Sequence, residues 1–134
     1  MKNFLLDSDT CISLIRGNSA IRERIARIGS GCCFISEITV AELRFGAERS
    51  SRCDAEHYIV DLVCEEFTVL TISRAIRIFA VEKARLWNIG LKIADFDLLI
   101  GATAVYHGLI LVTNNTKHFE RVQSLQMENW MQEL

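Results

Sequence analysis

The amino-acid sequence predicts an α/β fold with a mainly parallel central sheet. Three observations predict it. Short apolar runs without polar alternation, such as Phe4–Leu6, Cys32–Ile35 and Leu109–Thr113, read as strands buried on both faces. Segments with helical apolar spacing alternate with those runs. Two of the runs stop abruptly in polar residues, at Asp7 and at Thr113-Asn114-Asn115. Strands of an open parallel sheet end in this way where the sheet faces a ligand site.

Taken in order, Phe4-Leu5-Leu6 is the first strand. Ser8, Asp9 and Thr10 are able to cap the helix that follows, over Thr10 to Arg16, and Gly17 suits a left-handed stop. Ser19 to Ile28 is a second helix, with Ile21, Ile25 and Ile28 on one stripe. Gly29-Ser30-Gly31 ends it, and Cys32–Ile35 is the next strand. Ser36 caps a long helix to about Arg49, and a further helix covers about Ala55 to Glu65. Phe67 to Ile72, rich in β-branched residues, is a strand. Ser73 caps a helix to about Asn88, closed by Gly90. An apolar helix starts at Asp95 or Phe96 and ends at Gly108. After the strand Leu109–Thr113 come a helical turn around Lys117–Arg121 and a last strand within Gln126–Trp130.

The 134 residues, without repeats or linkers, are expected to form one domain over 1–134. Half of them are hydrophobic, so part of the apolar surface is expected to be covered by another subunit. No apolar run is long enough to span a bilayer, and the N-terminus lacks a signal-peptide pattern, so the expected location is cytoplasmic. The five cysteines form no CxxC pair and fit a reducing compartment. Cys32 and Cys33 should point to opposite faces of a strand. The three histidines show no zinc spacing, and most of them are expected at surfaces or helix ends. A net charge of -2 argues against a generally basic nucleic-acid binder, though not against an acidic site with basic rims.

Several acids stand where structure alone does not ask for them. Asp7 ends a buried strand. Glu42 shares a helical face with Ile38 and Phe45, a costly place for a carboxylate unless it is paired or bound to a cation. Asp95 and Asp97 lie in the first turn of the apolar helix, where the helix dipole favours them. Residues two apart do not face the same way, so Asp95 is assigned the cap and Asp97 the site. Gly101, Ala102 and Ala104 would let this helix lie close to the sheet. Thr113, Asn114 and Asn115 supply neutral oxygens and amides at the same sheet edge as Asp7. Each feature also has an ordinary explanation, as a cap, a rim charge or a turn. Together they gather three acids and a Thr/Asn cluster, a donor set suited to Mg²⁺ or Mn²⁺ and to phosphodiester chemistry.

These motifs, in order and over nearly the whole chain, resemble those of PIN-domain ribonucleases, and among them the VapC-type toxins of bacterial toxin–antitoxin pairs. The carrying segments are Phe4–Asp9, Ile35–Ala47, Asp97–Ala102, Leu111–Asn115, Phe119–Val122 and Asn129-Trp130. The resemblance implies a three-layer α/β/α sandwich and a metal held by Asp7, Glu42 and Asp97. It implies an endoribonuclease acting on tRNA or rRNA, a homodimer, and neutralisation by a VapB-type antitoxin. The chain has Asp9 where the family often has Asn, and Asn115 where many members carry a fourth acid. Arg44, Arg49, Lys92, Lys117 and Arg121 are candidates for contacts to RNA or antitoxin. Two other readings compete. Leu6–Thr10 also resembles the D-x-D motif of haloacid-dehalogenase-like phosphatases, with Asp7 as nucleophile and Asp9 as acid/base. A non-catalytic PIN-like binding module is the second.

Overall fold

In the computed structural model, which describes residues 2–131, five parallel strands form one sheet in the order β3-β2-β1-β4-β5. The strands are β1 (Phe4–Leu6), β2 (Cys33–Ser36), β3 (Thr68–Leu70), β4 (Ile110–Val112) and β5 (Met127–Glu128). Of the expected unit 1–134, residues 1 and 132–134 lie outside those described. The helices are α1 (Ser8–Ile15), α2 (Ser19–Ile28), α3 (Glu37–Glu48), α4 (Cys53–Glu66), α5 (Ile76–Asn88), α6 (Asp95–His107) and α7 (Thr116–Phe119).

The central strand β1 pairs with β2 on one side and β4 on the other, so that Leu6 is level with Ile35 and Val112. This register brings the carboxyl ends of three strands to one line. Alternation along β1 divides the core into two. Phe4 and Leu6 join Cys33, Ile35, Ile110 and Val112 in packing with α1, α2, α3 and α4, while Leu5 and Leu111 pack with α5, α6 and α7. The result is the three-layer α/β/α sandwich. Trp130 closes the first core from the far end of the chain, its ring 5.0 Å from that of Phe4 and its Nε1 donating to Glu128 at 3.0 Å.

Several local expectations are corrected. The first helix starts at Ser8 and is capped by the Asp7 carboxylate, which accepts from Thr10 N at 2.8 Å; Ser8, Asp9 and Thr10 lie inside it. Ser73 does not cap α5 but opens a 3-10 turn before it. Ser36 does cap α3, accepting from Ile38 N at 3.1 Å. Gly101 faces Phe119, Val122 and Leu125, not the sheet, and a Cβ there would meet them at 3.7–3.8 Å. Cys32 sits in a 3-10 turn, and Cys33 is the strand residue. The cysteines are all free, and burial pushes the Cys11 thiol up. No described helix is long and apolar enough to cross a membrane. Large apolar side chains nevertheless stay exposed, among them Phe45, Tyr58, Val81 and Trp87.

One ion pair anchors the segment that leads from α7 to β5. Glu82, 6% exposed, receives Arg85 Nε at 3.0 Å and Nη2 at 2.8 Å, and accepts from Gln123 N at 3.0 Å. Arg85 Nη2 also donates to Arg121 O at 2.6 Å. The Arg85 guanidinium holds the Glu82 carboxyl below its ordinary value, against the opposing effect of burial. Glu82→Gln should lower the free energy of unfolding by about 2–3 kcal/mol at pH 7 in urea titrations. Because the folded-state pKa is lowered, that difference should shrink as pH falls below the ordinary glutamate range. Gly101→Ala, by contrast, should stabilise the fold by about 0.5–1 kcal/mol, since its Cβ finds room and the helix gains propensity.

Candidate active site

The site is built at the carboxyl end of the central strands. Asp7 follows β1 directly, and its backbone N–H continues the sheet by donating to Val112 O at 3.0 Å. Its side chain then turns to cap α1. Only 5% of Asp7 is exposed. Burial pushes its carboxyl above the ordinary aspartate value; the Thr113 hydroxyl and the Thr10 N–H oppose the shift, and neighbouring Asp9 adds to it. Thr10 Oγ1 also donates to Val112 O at 3.0 Å, which ties α1 to β4. Thr113 is fully buried, and its Oγ1 accepts from Asn115 N at 3.0 Å. One threonine thus touches the acid and sets the turn after β4.

A cavity of about 50 Å³ lies here, lined by Asp7, Ser8, Asp9, Glu42, Asp97, Asn115 and Phe119. Four of its seven lining residues are acids brought from three parts of the chain. Glu42 arrives from α3 and is held by Ser8, whose Oγ donates to Oε1 at 2.6 Å. The Thr39 hydroxyl lies 3.1 Å from the same Ser8 Oγ. The expectation that Glu42 lies on an inward stripe with Phe45 is corrected. Phe45 is 63% exposed, and the buried stripe of α3 is Thr39, Leu43 and Ala47. Glu42 sits at the edge of that stripe, half-buried, where it reaches the cavity without leaving water entirely.

Asp97 comes from the first turn of α6 and is half-buried. Asp95 is not the cap: Ala94 occupies that position without a side-chain bond, and Asp95 pairs with Lys83 Nζ at 2.8 Å on the surface. Asp9 is exposed at the cavity rim. Asn115 lines the cavity, whereas Asn114 accepts from Asn129 Nδ2 at 3.1 Å and does not.

The cationic candidates are scattered. Arg44 is not a free contact residue, since it binds His57 O at 3.0 Å and Asp61, tying α3 to α4. Arg49 lies over the Phe45 ring and Lys92 over Trp87, each 5.8 Å from the centroid. Arg121 Nη1 donates to Lys92 O at 2.8 Å. Lys117 is exposed on α7.

The sequence assigns Ser8, Phe119 and His118 no place in the site. His118 lies in the last turn of α7, a helix end as expected, and its Nε2 stands 3.2 Å from Asp97 Oδ2. His57 is also engaged, with Nε2 2.6 Å from Glu48 Oε2 and Nδ1 3.0 Å from Arg44 Nη1. Among the described residues, Glu48, Cys53 and His57 are the one set of three metal-type donors whose ligand atoms all lie within 4.8 Å of one another. The Arg44 guanidinium against Nδ1 requires that nitrogen to accept, so the ring is spent on a hydrogen-bonded chain from Arg44 through His57 to Glu48 across the α3–α4 turn.

The raised pKa of Asp7 gives a signed prediction. Its ionised form is disfavoured by burial, so the stability it contributes is present below the ordinary aspartate value and lost as pH rises through the folded-state pKa. In EDTA at pH 7, Asp7→Asn keeps an oxygen for the Thr10 N–H and should melt at a higher temperature than the wild type. Differential scanning fluorimetry should show the gap narrowing as pH is lowered toward the carboxylate range.

A family model described as PIN domain matches residues 4–125. Among curated relatives, the chain is 35% identical over 132 residues to a tRNA(fMet)-specific endonuclease VapC of Shigella flexneri, covering 97% of this chain and 99% of the relative. It is 35% identical over 133 residues to ribonuclease VapC2 of Haemophilus influenzae, covering 98% and 100%. Among solved structures, a chain of DNA-bound VapBC from Salmonella typhimurium superposes with a TM-score of 0.91 at 32% identity, covering 97% and 99%. These matches overturn the phosphatase reading of Asp7 and Asp9. Aligned end to end with such relatives, the chain belongs to the PIN-domain family and is a VapC-type ribonuclease.

Proposed function

We propose that the chain is the toxin of a toxin–antitoxin pair, a metal-dependent endoribonuclease that hydrolyses phosphodiester bonds of tRNA in the cytoplasm. The observation that carries the reading is the convergence of Asp7, Glu42 and Asp97 on one small acidic cavity at the carboxyl end of a parallel sheet. The tRNA substrate rests on what the Shigella relative is called. Five free cysteines support a reducing compartment.

The donor set fits a hard divalent cation. The lining is rich in carboxylate oxygens, and the volume of about 50 Å³ has room for an ion with little accompanying water. Asp7, Glu42 and Asp97 would hold it, with Mg²⁺ or Mn²⁺ as the ion. When bound, such an ion supplies an activated water and neutralises charge on the attacked phosphate. The chain's own groups do the positioning. Asp7 is locked by Thr10 N–H and by the Thr113 hydroxyl, and Glu42 is locked by Ser8. Each carboxylate therefore meets the substrate with its orientation already set. Asn115 offers an amide at the cavity wall to a phosphate oxygen. Exposed Lys117 stands next to His118 on α7, where an RNA backbone would enter.

The antitoxin reading has its own support. A groove of about 560 Å³ runs between α1, α3 and α4, lined by Ile12, Ile15, Leu43, Ala47, Ile59 and Val60, with Glu42 in its wall. A peptide segment lying in this groove reaches a catalytic acid. The neighbour from Salmonella was solved as a VapBC assembly. The exposed apolar residues of α5 and α6, Val81, Trp87, Phe96 and Tyr106, offer a face for a homodimer.

Asp7→Asn, Glu42→Gln and Asp97→Asn should each lower the rate of tRNA cleavage by about 100-fold or more, with circular dichroism unchanged. EDTA should have the same effect on the wild type, reversed by added Mg²⁺ or Mn²⁺. Wild-type rates from all three variants would show that the cavity is not the active site. Undiminished RNA binding with no cleavage by the wild type would favour the non-catalytic module instead.

A further inference from the structure

Trp87 is a large aromatic ring that the packing of the fold does not use. The chain has two tryptophans; Trp130 is 1% exposed and closes a core, whereas Trp87 is 68% exposed near the end of α5. It borders a cavity of about 380 Å³ between α5 and α6. The floor of that cavity is the buried pair Leu86 and Leu98, and its rim carries Lys83, Lys92 and Asp95. The rim is held in shape by the backbone. Gly90, at φ 75°, turns the chain out of α5, and Leu91 N donates back to Leu86 O at 2.9 Å. Arg121 donates to Lys92 O at 2.8 Å, and the carbonyl of Arg121 is itself held by Arg85. Lys83 is occupied by Asp95 at 2.8 Å. Lys92 has no carboxylate partner among the described residues, and its Nζ lies 5.8 Å from the centroid of the Trp87 ring.

The place of this cavity tells what would fill it. Ala94, Asp95 and Leu98 line it, and Asp97, from the same turn of α6, lines the acidic one. A helix turn is about 5.4 Å long, so a nucleotide next to the one at the acids comes within reach of the pocket. An apolar floor beside an open aromatic face suits a base, and a free ammonium suits the phosphate that follows it. A base inside a duplex has both faces covered, so the base that stacks here is an unpaired one. The groove assigned to the antitoxin shares Glu42 instead and lies between other helices. The apolar face of a second copy would match the ring but leave the charge of Lys92 unanswered. We propose that Trp87 and Lys92 form a nucleotide subsite beside the acids, in which an unpaired base of the RNA stacks on Trp87 and Lys92 leaves the ring for the adjoining phosphate. This rests on the ribonuclease reading of the acidic cavity given above.

Trp87 is its own reporter, because the other tryptophan is buried. The full-length wild type is titrated with bulk tRNA, with Ca²⁺ in place of the catalytic ion to offset charge at the acids, while tryptophan emission and its quenching by acrylamide are followed. The tRNA should quench the emission and shield it from acrylamide. With Mg²⁺, Trp87→Ala should raise KM for tRNA cleavage about 10-fold or more and change kcat less than about threefold, whereas Trp87→Phe, which keeps a ring, should stay within about threefold of the wild type in both. Lys92→Ala should lower the slope of log affinity against log salt by about 0.7. Light scattering should give the wild type and Trp87→Ala the same mass. Emission that tRNA leaves unchanged, from an enzyme that cleaves tRNA, overturns the inference and leaves the ribonuclease site standing. An unchanged KM in Trp87→Ala overturns it as well. A wild-type dimer that Trp87→Ala turns into a monomer gives the ring to the second copy and also overturns it. A wild type that cleaves no tRNA with Mg²⁺ or Mn²⁺ overturns the ribonuclease reading and the inference with it. The wild-type emission decides the matter even where a variant folds poorly.

Discussion

Much of this structure depends on one buried carboxylate. Asp7 sits at the end of the central strand, 5% exposed, and does two jobs that seldom coincide. Its backbone continues the β1–β4 hydrogen bonding, and its side chain starts α1. Burial opposes its ionisation, and the opposing bonds from Thr10 and Thr113 hold the charge in place. A cap of this kind ordinarily sits in water. Here it is sealed by the sheet, so the strain of holding a charge is kept where a cation would relieve it.

The rest of the fold supplies partners to that point. The level register of Leu6, Ile35 and Val112 brings the exits of β1, β2 and β4 together. Helix α3 is capped by Ser36, the last residue of β2, and Glu42 lies under two turns along it. Helix α6 contributes Asp97 from its first turn, and its buried small residues let it sit within the second core. The Glu82–Arg85 pair holds the segment after α7 at Gln123 and Arg121, close to the helix that carries Phe119 and His118. Remote pairing thus fixes the wall of the cavity.

The layers and most elements were legible in the sequence because buried strands have few alternatives. Phe4–Leu6 and Ile110–Val112 are apolar on both faces, and only a parallel sheet covered on both sides accommodates that. Asp7, Glu42 and Asp97 were legible as acids in apolar company, although the stripe used to place Glu42 was drawn through Phe45, which the fold leaves in solvent. What escaped was contact chemistry between distant segments. Nothing local in Ser8 announces a bond to a residue 34 positions away. His118 escaped because a four-residue helix has too short a period to show which way its side chains face. The choice between Asp95 and Asp97 as the cap went wrong because Lys83, brought from α5, claims Asp95.

Glu42 is shared by two surfaces, the small acidic cavity and the long groove between α1, α3 and α4. A side chain in that position links offence and restraint in one gene product. On the proposed reading, an inhibitor segment that gripped Glu42 would hold an atom the site also uses, so a change there that loosened the inhibitor would weaken the site in the same step, while the apolar length of the groove would be free to vary.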